Sequence, residues 1–351
     1  MNKRTRNFMV GSTAIVLFGL CTGLVAFYNG GLPLTSSSRG PSELAYLPAD
    51  SVMVGYANVR EVMNSEFRQK LNAVIPSGEG QDEFMRETGI DIEHDIDTVV
   101  AAASAGEPDA HGIVLFRGRF NDGQIEGLIR SHGGTVEEYK GIRIVTADPV
   151  NMAANEGHNV PRDLANVNPE DRSFALAFLE SGLLGFGKLS NVKAGIDAKQ
   201  SGQNATTNDA LMGYINDVQT GQSAWAVGRF DAISQTDELP AQIKQHLPAV
   251  QWFSVTSRIN GGVSGSIRAD TTDDVAAENL RDVVRGGLAM GRLFSGEDQR
   301  MKMLIDSLQM SGTGKTVAVS FSVSPEMIDL LAGFANLSES SSQNPLESAI
   351  R

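Results

Sequence analysis

Residues 251–290 read QWFSVTSRINGGVSGSIRADTTDDVAAENLRDVVRGGLAM, and this stretch decides the fold class. Two runs with strand character, Gln251–Ile259 and Val263–Ala269, flank Asn260-Gly261, a dipeptide that tolerates the positive φ angles of a two-residue hairpin turn. Thr272 then stands where a helix cap belongs. Behind it Ala276, Leu280, Val283, Val284, Leu288 and Met290 recur at helical spacing as a wide apolar face. A hairpin followed by a helix long enough to cover it predicts an α+β domain, with antiparallel or mixed sheets and helices on one face.

The same grammar extends in both directions. Upstream, Ser51–Ala57 predicts a strand, and Val59, Val62, Met63, Phe67, Leu71 and Val74 predict one helix that Pro76 stops. Thr98–Ala102 and Gly112–Phe120 predict neighbouring strands, followed by a short helix capped by Asp122 and ended by Gly133-Gly134. Hairpins are expected around Lys140-Gly141 and around Glu180-Ser181-Gly182, then helices over Ser190–Lys199 and Asn208–Val218 and a strand over Ala224–Phe230. Downstream, Met301, Leu304, Ile305 and Leu308 suit a helix, Val317–Val323 a strand, and Ser324-Pro325-Glu326 the start of a last helix, while methionines 301, 303 and 310 have the spacing of a core helix, with an adaptable hydrophobic groove as the alternative.

SVMVGYANVREVM and SAWAVGRFDAI share a strand–turn–helix order, as do HGIVLFRGRFNDGQIEGLIR and VSGSIRADTTDDVAAENLRDVV. The expected organisation is therefore two related α+β lobes, residues 44–200 and 201–335, followed by a polar, Ser-rich tail at 336–351 that should be disordered.

The N-terminal segment sets the expected location. After the basic stub of residues 1–7, MNKRTRN, Phe8–Tyr28 is uncharged throughout. About 20 apolar residues at about 1.5 Å each cross the ~30 Å bilayer core. Lys3, Arg4 and Arg6 on its N-terminal side keep that end cytoplasmic and export the rest. Two processed alternatives compete. A cleaved signal would have a shorter apolar core, and a lipidation signal needs a small residue before Cys21, where this chain has Leu20. The expectation is a single-pass transmembrane anchor in the cytoplasmic (inner) membrane, with Asn29–Glu43 as a flexible Gly/Pro/Ser-rich tether to an extracytoplasmic domain.

Composition narrows the partners. Three of the 29 Lys and Arg residues lie in the N-terminal segment, which leaves 26 against all 42 Asp and Glu, a formal charge of −16 on the exported part. No basic patch is present to neutralise phosphates, so nucleic acid is not an expected partner. Cys21 is the only cysteine, so the exported part has no internal disulfide and must rely on a packed core.

No motif identifies a reaction. Ser311-Gly312-Thr313-Gly314-Lys315-Thr316 imitates a phosphate loop, but the glycine required earlier is Gln309 and the lysine leads into a strand, so a helix-to-strand or hairpin turn is expected. His94, His111, His132, His158 and His246 fall in no zinc spacing, and the acidic run around Glu93-His94-Asp95 lacks the pattern of a calcium loop. Gly262-Val263-Ser264-Gly265 is not a nucleophile elbow. No cofactor and no metal are expected. The most unusual segment is Asp148–Arg172, a long polar insertion in which Met152, His158 and Arg162 are the candidate partner contacts.

Leu47-Pro48-Ala49-Asp50-Ser51, followed by the strand to Asn58 and a helix containing Phe67, resembles the opening of certain uncharacterised bacterial proteins that are membrane-anchored and exported. The resemblance covers little of the chain. It implies a bacterial envelope protein and transfers no activity and no catalytic residue. The expected role is extracytoplasmic binding or scaffolding. An envelope hydrolase with a site under the 148–172 loop and a carrier of hydrophobic ligands are the alternatives.

Overall fold

The computed structural model describes residues 40–72, 85–86, 88–104, 112–151, 167–230, 249–295 and 299–327. The anchor segment Phe8–Tyr28, most of the tether and the tail from 336 lie outside these. Among the described residues no helix is long and apolar enough to cross a membrane.

Twelve strands alternate with the helices: β1 (Ser51–Ala57), β2 (Ile96–Ser104), β3 (Gly112–Gly118), β4 (Thr135–Tyr139), β5 (Ile142–Ala147), β6 (Phe174–Glu180), β7 (Leu183–Lys188), β8 (Ala224–Arg229), β9 (Val250–Asn260), β10 (Gly262–Thr271), β11 (Gln309–Ser311) and β12 (Thr316–Val323). They form one 12-stranded sheet in the order β11-β12-β10-β9-β8-β1-β2-β3-β7-β6-β5-β4. All pairings between these strands are antiparallel. The α+β class read from residues 251–290 is correct, and that hairpin is β9–β10, turning at Gly261 with φ 74°. Lys140 and Gly141, at φ 51° and 81°, make the equivalent turn between β4 and β5.

The strands of residues 44–200 and those of 201–335 meet in the middle of the sheet, where β1 pairs with β8 from Met53↔Gly228 to Ala57↔Ala224. On one side of this seam the spatial order is β1-β2-β3-β7-β6; on the other it is β8-β9-β10-β12-β11. The two runs repeat the same arrangement, and β4 and β5 extend the first.

The helices are α1 (Val59–Met63), α2 (Glu66–Asn72), α3 (Ile92–Asp95), α4 (Asp122–Ser131), α5 (Pro169–Arg172), α6 (Leu189–Ser201), α7 (Asp209–Val218), α8 (Asp274–Ser295) and α9 (Gln299–Asp306). The single helix expected from Val59 to Val74 is instead α1 and α2. The Asn64 amide closes the first on Arg60 O, and the Ser65 hydroxyl restarts the second by accepting from the Arg68 amide at 3.1 Å. Two caps also shift by one residue. Asn121, not Asp122, accepts from the Gln124 amide, and Asp273, not Thr272, accepts from the Ala276 amide. In both cases the side-chain oxygen three residues ahead of the free amide has the favourable reach.

Helices cover both faces of the sheet rather than the one face expected. Side chains alternate along a strand, so Val54, Val100, Leu115, Trp225 and Val227 point to one side. There they join α6 through Val192 and Ile196, α7 through Leu211 and Ile215, and the 3-10 turn Ser42–Tyr46 through Leu44. Val99, Ala101 and Val114 point to the other side, against Val59 and Ile92. On that side too, Ala277 and Leu280 of α8 pack on Val250 and Val317. The fold begins slightly earlier than expected, since Glu43, placed in the tether, is buried and paired with Arg117.

Candidate binding surface

Met152, His158 and Arg162, the candidate contacts nominated from the sequence, lie outside the described residues, and so do His111, His158 and His246. What the structure does describe is the base of their loop. There the Arg172 guanidinium grips Asp148 with two nitrogens, Nη2 at 2.8 Å from Oδ2 and Nε at 3.1 Å from Oδ1, and donates from Nη1 to Val167 O at 3.1 Å. The Val150 amide donates to the same carboxylate at 2.9 Å. Hydrogen bonds from Arg172 hold the Asp148 carboxyl below the usual carboxylate range, with burial opposing them. Asp148 is therefore an ionised strut that ties the two ends of the insertion together, a poor choice for a proton donor.

The other nominated motifs resolve into local structure. His94 Nδ1 lies 2.8 Å from Asp91 Oδ2, and Asp91 also caps α3 through the amides of Glu93 and His94. His132 Nδ1 lies 3.0 Å from Leu128 O at the end of α4. No group of three His, Cys, Asp or Glu among the described residues could hold a metal ion. Ser311–Thr316 joins β11 to β12 as the expected hairpin turn, with Gly312 and Gly314 at positive φ and Lys315 Nζ donating to Thr272 O at 2.8 Å. Ser264 lies within β10, its hydroxyl 3.4 Å from Arg258 O.

One charged cluster escaped the sequence reading because its members are far apart in the chain. Glu43 pairs with Arg117, which also approaches Glu180 at 3.8 Å; Tyr46 donates to Glu180 at 2.9 Å, and Lys199 stands 3.7 Å from the same carboxylate. Burial, reinforced by Glu180, pushes the Tyr46 phenol well above its ordinary pKa. Each group is partnered, so the cluster acts as a clasp. It fastens the 3-10 turn Ser42–Tyr46 to β3, β6 and α6.

Among the described residues, exposed large apolar side chains concentrate on the outer side of α8. The wide apolar face read from the sequence divides in two, with Leu280 turned to the sheet and Val283 and Met290 turned outward, and the structure adds Ala277 to the first set and Val275 and Leu293 to the second. Ala277 and Leu280 are buried against the sheet, and Gly291 lies against Ile305 of α9. Val275, Val283, Met290 and Leu293 are 71, 46, 57 and 77% exposed. At 3.6 residues per turn their spacings place all four along one stripe, roughly opposite Ala277. Four of the eight exposed large hydrophobic side chains among the described residues thus occupy a single helix.

A polar strip bounds this stripe on one flank. Glu278 pairs with Arg281 and Arg285 at 2.9 Å each, Arg285 with Asp282 at 2.8 Å, and Arg292 reaches Asp306 at 3.5 Å. At the middle of α8, Gly286 and Gly287 face open space, with nothing within 4 Å of where a Cβ would stand. The sequence signal was the breadth of the apolar arc, wider than one sheet contact needs. Which part faced outward was decided by the packing of Ala277 and Leu280.

No family model and no curated protein matches the chain. Among solved structures, it is similar to crystal form I of TP0453, with 7% identity, a TM-score of 0.42, and 84% of this chain and 98% of that chain covered. Crystal form III of the same protein gives 8% identity and a TM-score of 0.42, covering 84% and 99%. Likeness this loose carries no argument about function.

Proposed function

We propose that this protein is a non-enzymatic binding or scaffolding protein of the bacterial envelope, anchored in the cytoplasmic membrane by Phe8–Tyr28 with its sheet domain outside. The basic stub before the apolar run supports the orientation, and the acidic balance of the remainder suits an exported soluble domain. The observation that carries the binding role is the outer stripe of α8. Each of these side chains forgoes its exposed share, between about half and three quarters, of the roughly 1.5–3 kcal/mol available on full burial, and none of the four belongs to the chain's buried core. An exposed apolar stripe, here interrupted by Asn279 and Gly286, beside a polar strip is the pattern of a helix that docks another surface. The repeated strand order supports reading residues 44–200 and 201–335 as related lobes fused through one sheet.

Two measurements test the proposal. A periplasm-dependent reporter fused after Arg351 should be active, and a silent fusion beside an active cytoplasmic reporter would refute the topology. Val283→Asp with Met290→Asp should leave the fold intact while abolishing whatever contact the stripe makes in the membrane fraction. Contacts at the stripe unchanged by the double substitution would refute the binding role.

A further inference from the structure

We propose that residues 328–334, which follow the last described residue Met327, continue the helix that opens at Pro325 and dock on the sheet face formed by Ser264 and Ser266 of β10 and Ala318 and Ser320 of β12. There the segment holds the place that α6 holds in the first strand set. The inference is independent of the α8 stripe, because α8 lies on the other side of the sheet.

Strand pairing assigns the face. Trp225 of β8 stands opposite Thr256, Thr256 opposite Ser266, and Ser266 opposite Ser320. Cross-strand partners point to the same side, so these serines share the side of Trp225, which α6 and α7 cover elsewhere along the sheet. On that side α7 lies over β8 and β9. Helix α8 packs on Val250 and Val317 from the opposite side. Ser322, Gln309 and Ser311, on the serine side of β12 and β11, are exposed.

Three observations place the segment there. First, the chain leaves β12 toward this side. A Cβ on Gly262, which points the same way as Ser264, meets Ser324 Cα at 3.2 Å and Pro325 Cδ at 3.3 Å. Residues 325–327 are already helical, with Ser324 Oγ accepting from the Met327 amide at 3.3 Å. Second, the strand orders running outward from the seam make β12 the counterpart of β7. Strand β7 passes directly into α6, which covers β3, β6 and β7 on this same side. Third, Met327, Leu330, Leu331 and Phe334 recur at i, i+3, i+4 and i+7 as one apolar stripe, with Glu326 and Asp329 off it.

Length and chemistry fit. At about 1.5 Å per residue, residues 325–334 span about 15 Å, and β12 runs about 17 Å from Val323 back to Ala318. The floor is made of small side chains, as it is beneath α6, where β7 offers Gly185 and Gly187 and β6 offers Ala175 and Ala177. Its hydroxyls are satisfied within the sheet. Ser266 Oγ lies 2.9 Å from Thr256 Oγ, Ser264 donates to Arg258 O at 3.4 Å, and Ser320 donates to Gln309 O at 3.3 Å. Covering them with leucine and phenylalanine therefore strands no polar group.

The test uses the full chain with Cys21→Ala, so that introduced cysteines are the only thiols. Leu331→Cys is combined either with Ser266→Cys, on the proposed face, or with Ile267→Cys, its neighbour on the opposite face and 54% exposed. A short bismaleimide should link 331 to 266 within one chain and leave 331 and 267 unlinked, as read by peptide mass. Linking to 267 alone or to both equally overturns the docking, and so does a link formed only between two chains or no link at all. In parallel, Leu330→Asp with Phe334→Asp should lower the urea midpoint of unfolding, and an unchanged midpoint overturns the docking.

Discussion

Replacing Trp225 with alanine probes the seam that makes one sheet of two strand sets. Trp225 is 2% exposed and sits in β8 directly opposite Tyr56 of β1, the two rings stacked at 5.7 Å and 18°. Deleting a buried ring costs about 3–5 kcal/mol through lost transfer energy and the cavity left behind. The lost aromatic pair accounts for about 0.5–1.5 kcal/mol beyond area burial. A loss of about 4 kcal/mol is a large share of the 5–15 kcal/mol typical of a folded chain. With a urea dependence of about 3 kcal/mol/M, the midpoint falls by more than about 1 M. Trp225→Phe keeps a ring in the seam and should cost much less.

The assay is urea unfolding followed both by far-UV circular dichroism and by the fluorescence of Trp252, the remaining tryptophan, in β9. Both signals should move together, because β8 and β9 are hydrogen-bonded to each other and through β1 to the first strand set. A loss below about 1 kcal/mol, or a dichroism curve that splits while Trp252 keeps its midpoint, would refute the seam as the joint of one cooperative sheet.

Two further outcomes follow from the same structure. Arg172 holds Asp148 below the usual carboxylate range, so the stabilisation from this pair is complete above the unfolded value of about 3.9 and is lost as pH falls through the lower folded value. The urea-midpoint difference between wild type and Asp148→Asn should therefore shrink on acidification below about pH 4, and a constant difference would count against the clamp. Gly195→Ala, inside α6, should destabilise despite alanine's helix preference, since its Cβ would stand 2.7 Å from Ile113 Cδ1 and 2.8 Å from Tyr46 O. Gly213→Ala in α7, with nothing within 4 Å, should instead stabilise by about 0.5–1 kcal/mol. Thermal melts that rank the two variants the other way would overturn this packing.

Much of the local structure was legible because it is encoded locally. Asn260-Gly261 and Lys140-Gly141 carry their turn chemistry in two residues, and the alternation in Phe174–Glu180 has the period of a half-buried strand. The helix break at Asn64-Ser65 and the caps at Asn121 and Asp273 were missed because several adjacent polar residues compete for each cap, and only the final backbone path selects one. The Glu43–Arg117–Glu180 clasp had no sequence signal, since sequence proximity predicts none of its contacts.

Alone, the sequence determined eleven of the twelve strands, most of the helices, the α+β class and the acidic character of the chain, because periodicity and charge are properties of short windows and of composition. Strand β11, three residues that include Met310 of the expected core helix, is too short to show a period. Tertiary structure decided that both strand sets share one sheet, since the β1–β8 pairing joins residues some 170 positions apart and backbone hydrogen bonding has no side-chain code. It also decided which half of the apolar face of α8 is core. Residues 277 and 280 reach the sheet, and the same helix geometry turns Val275, Val283, Met290 and Leu293 away from it.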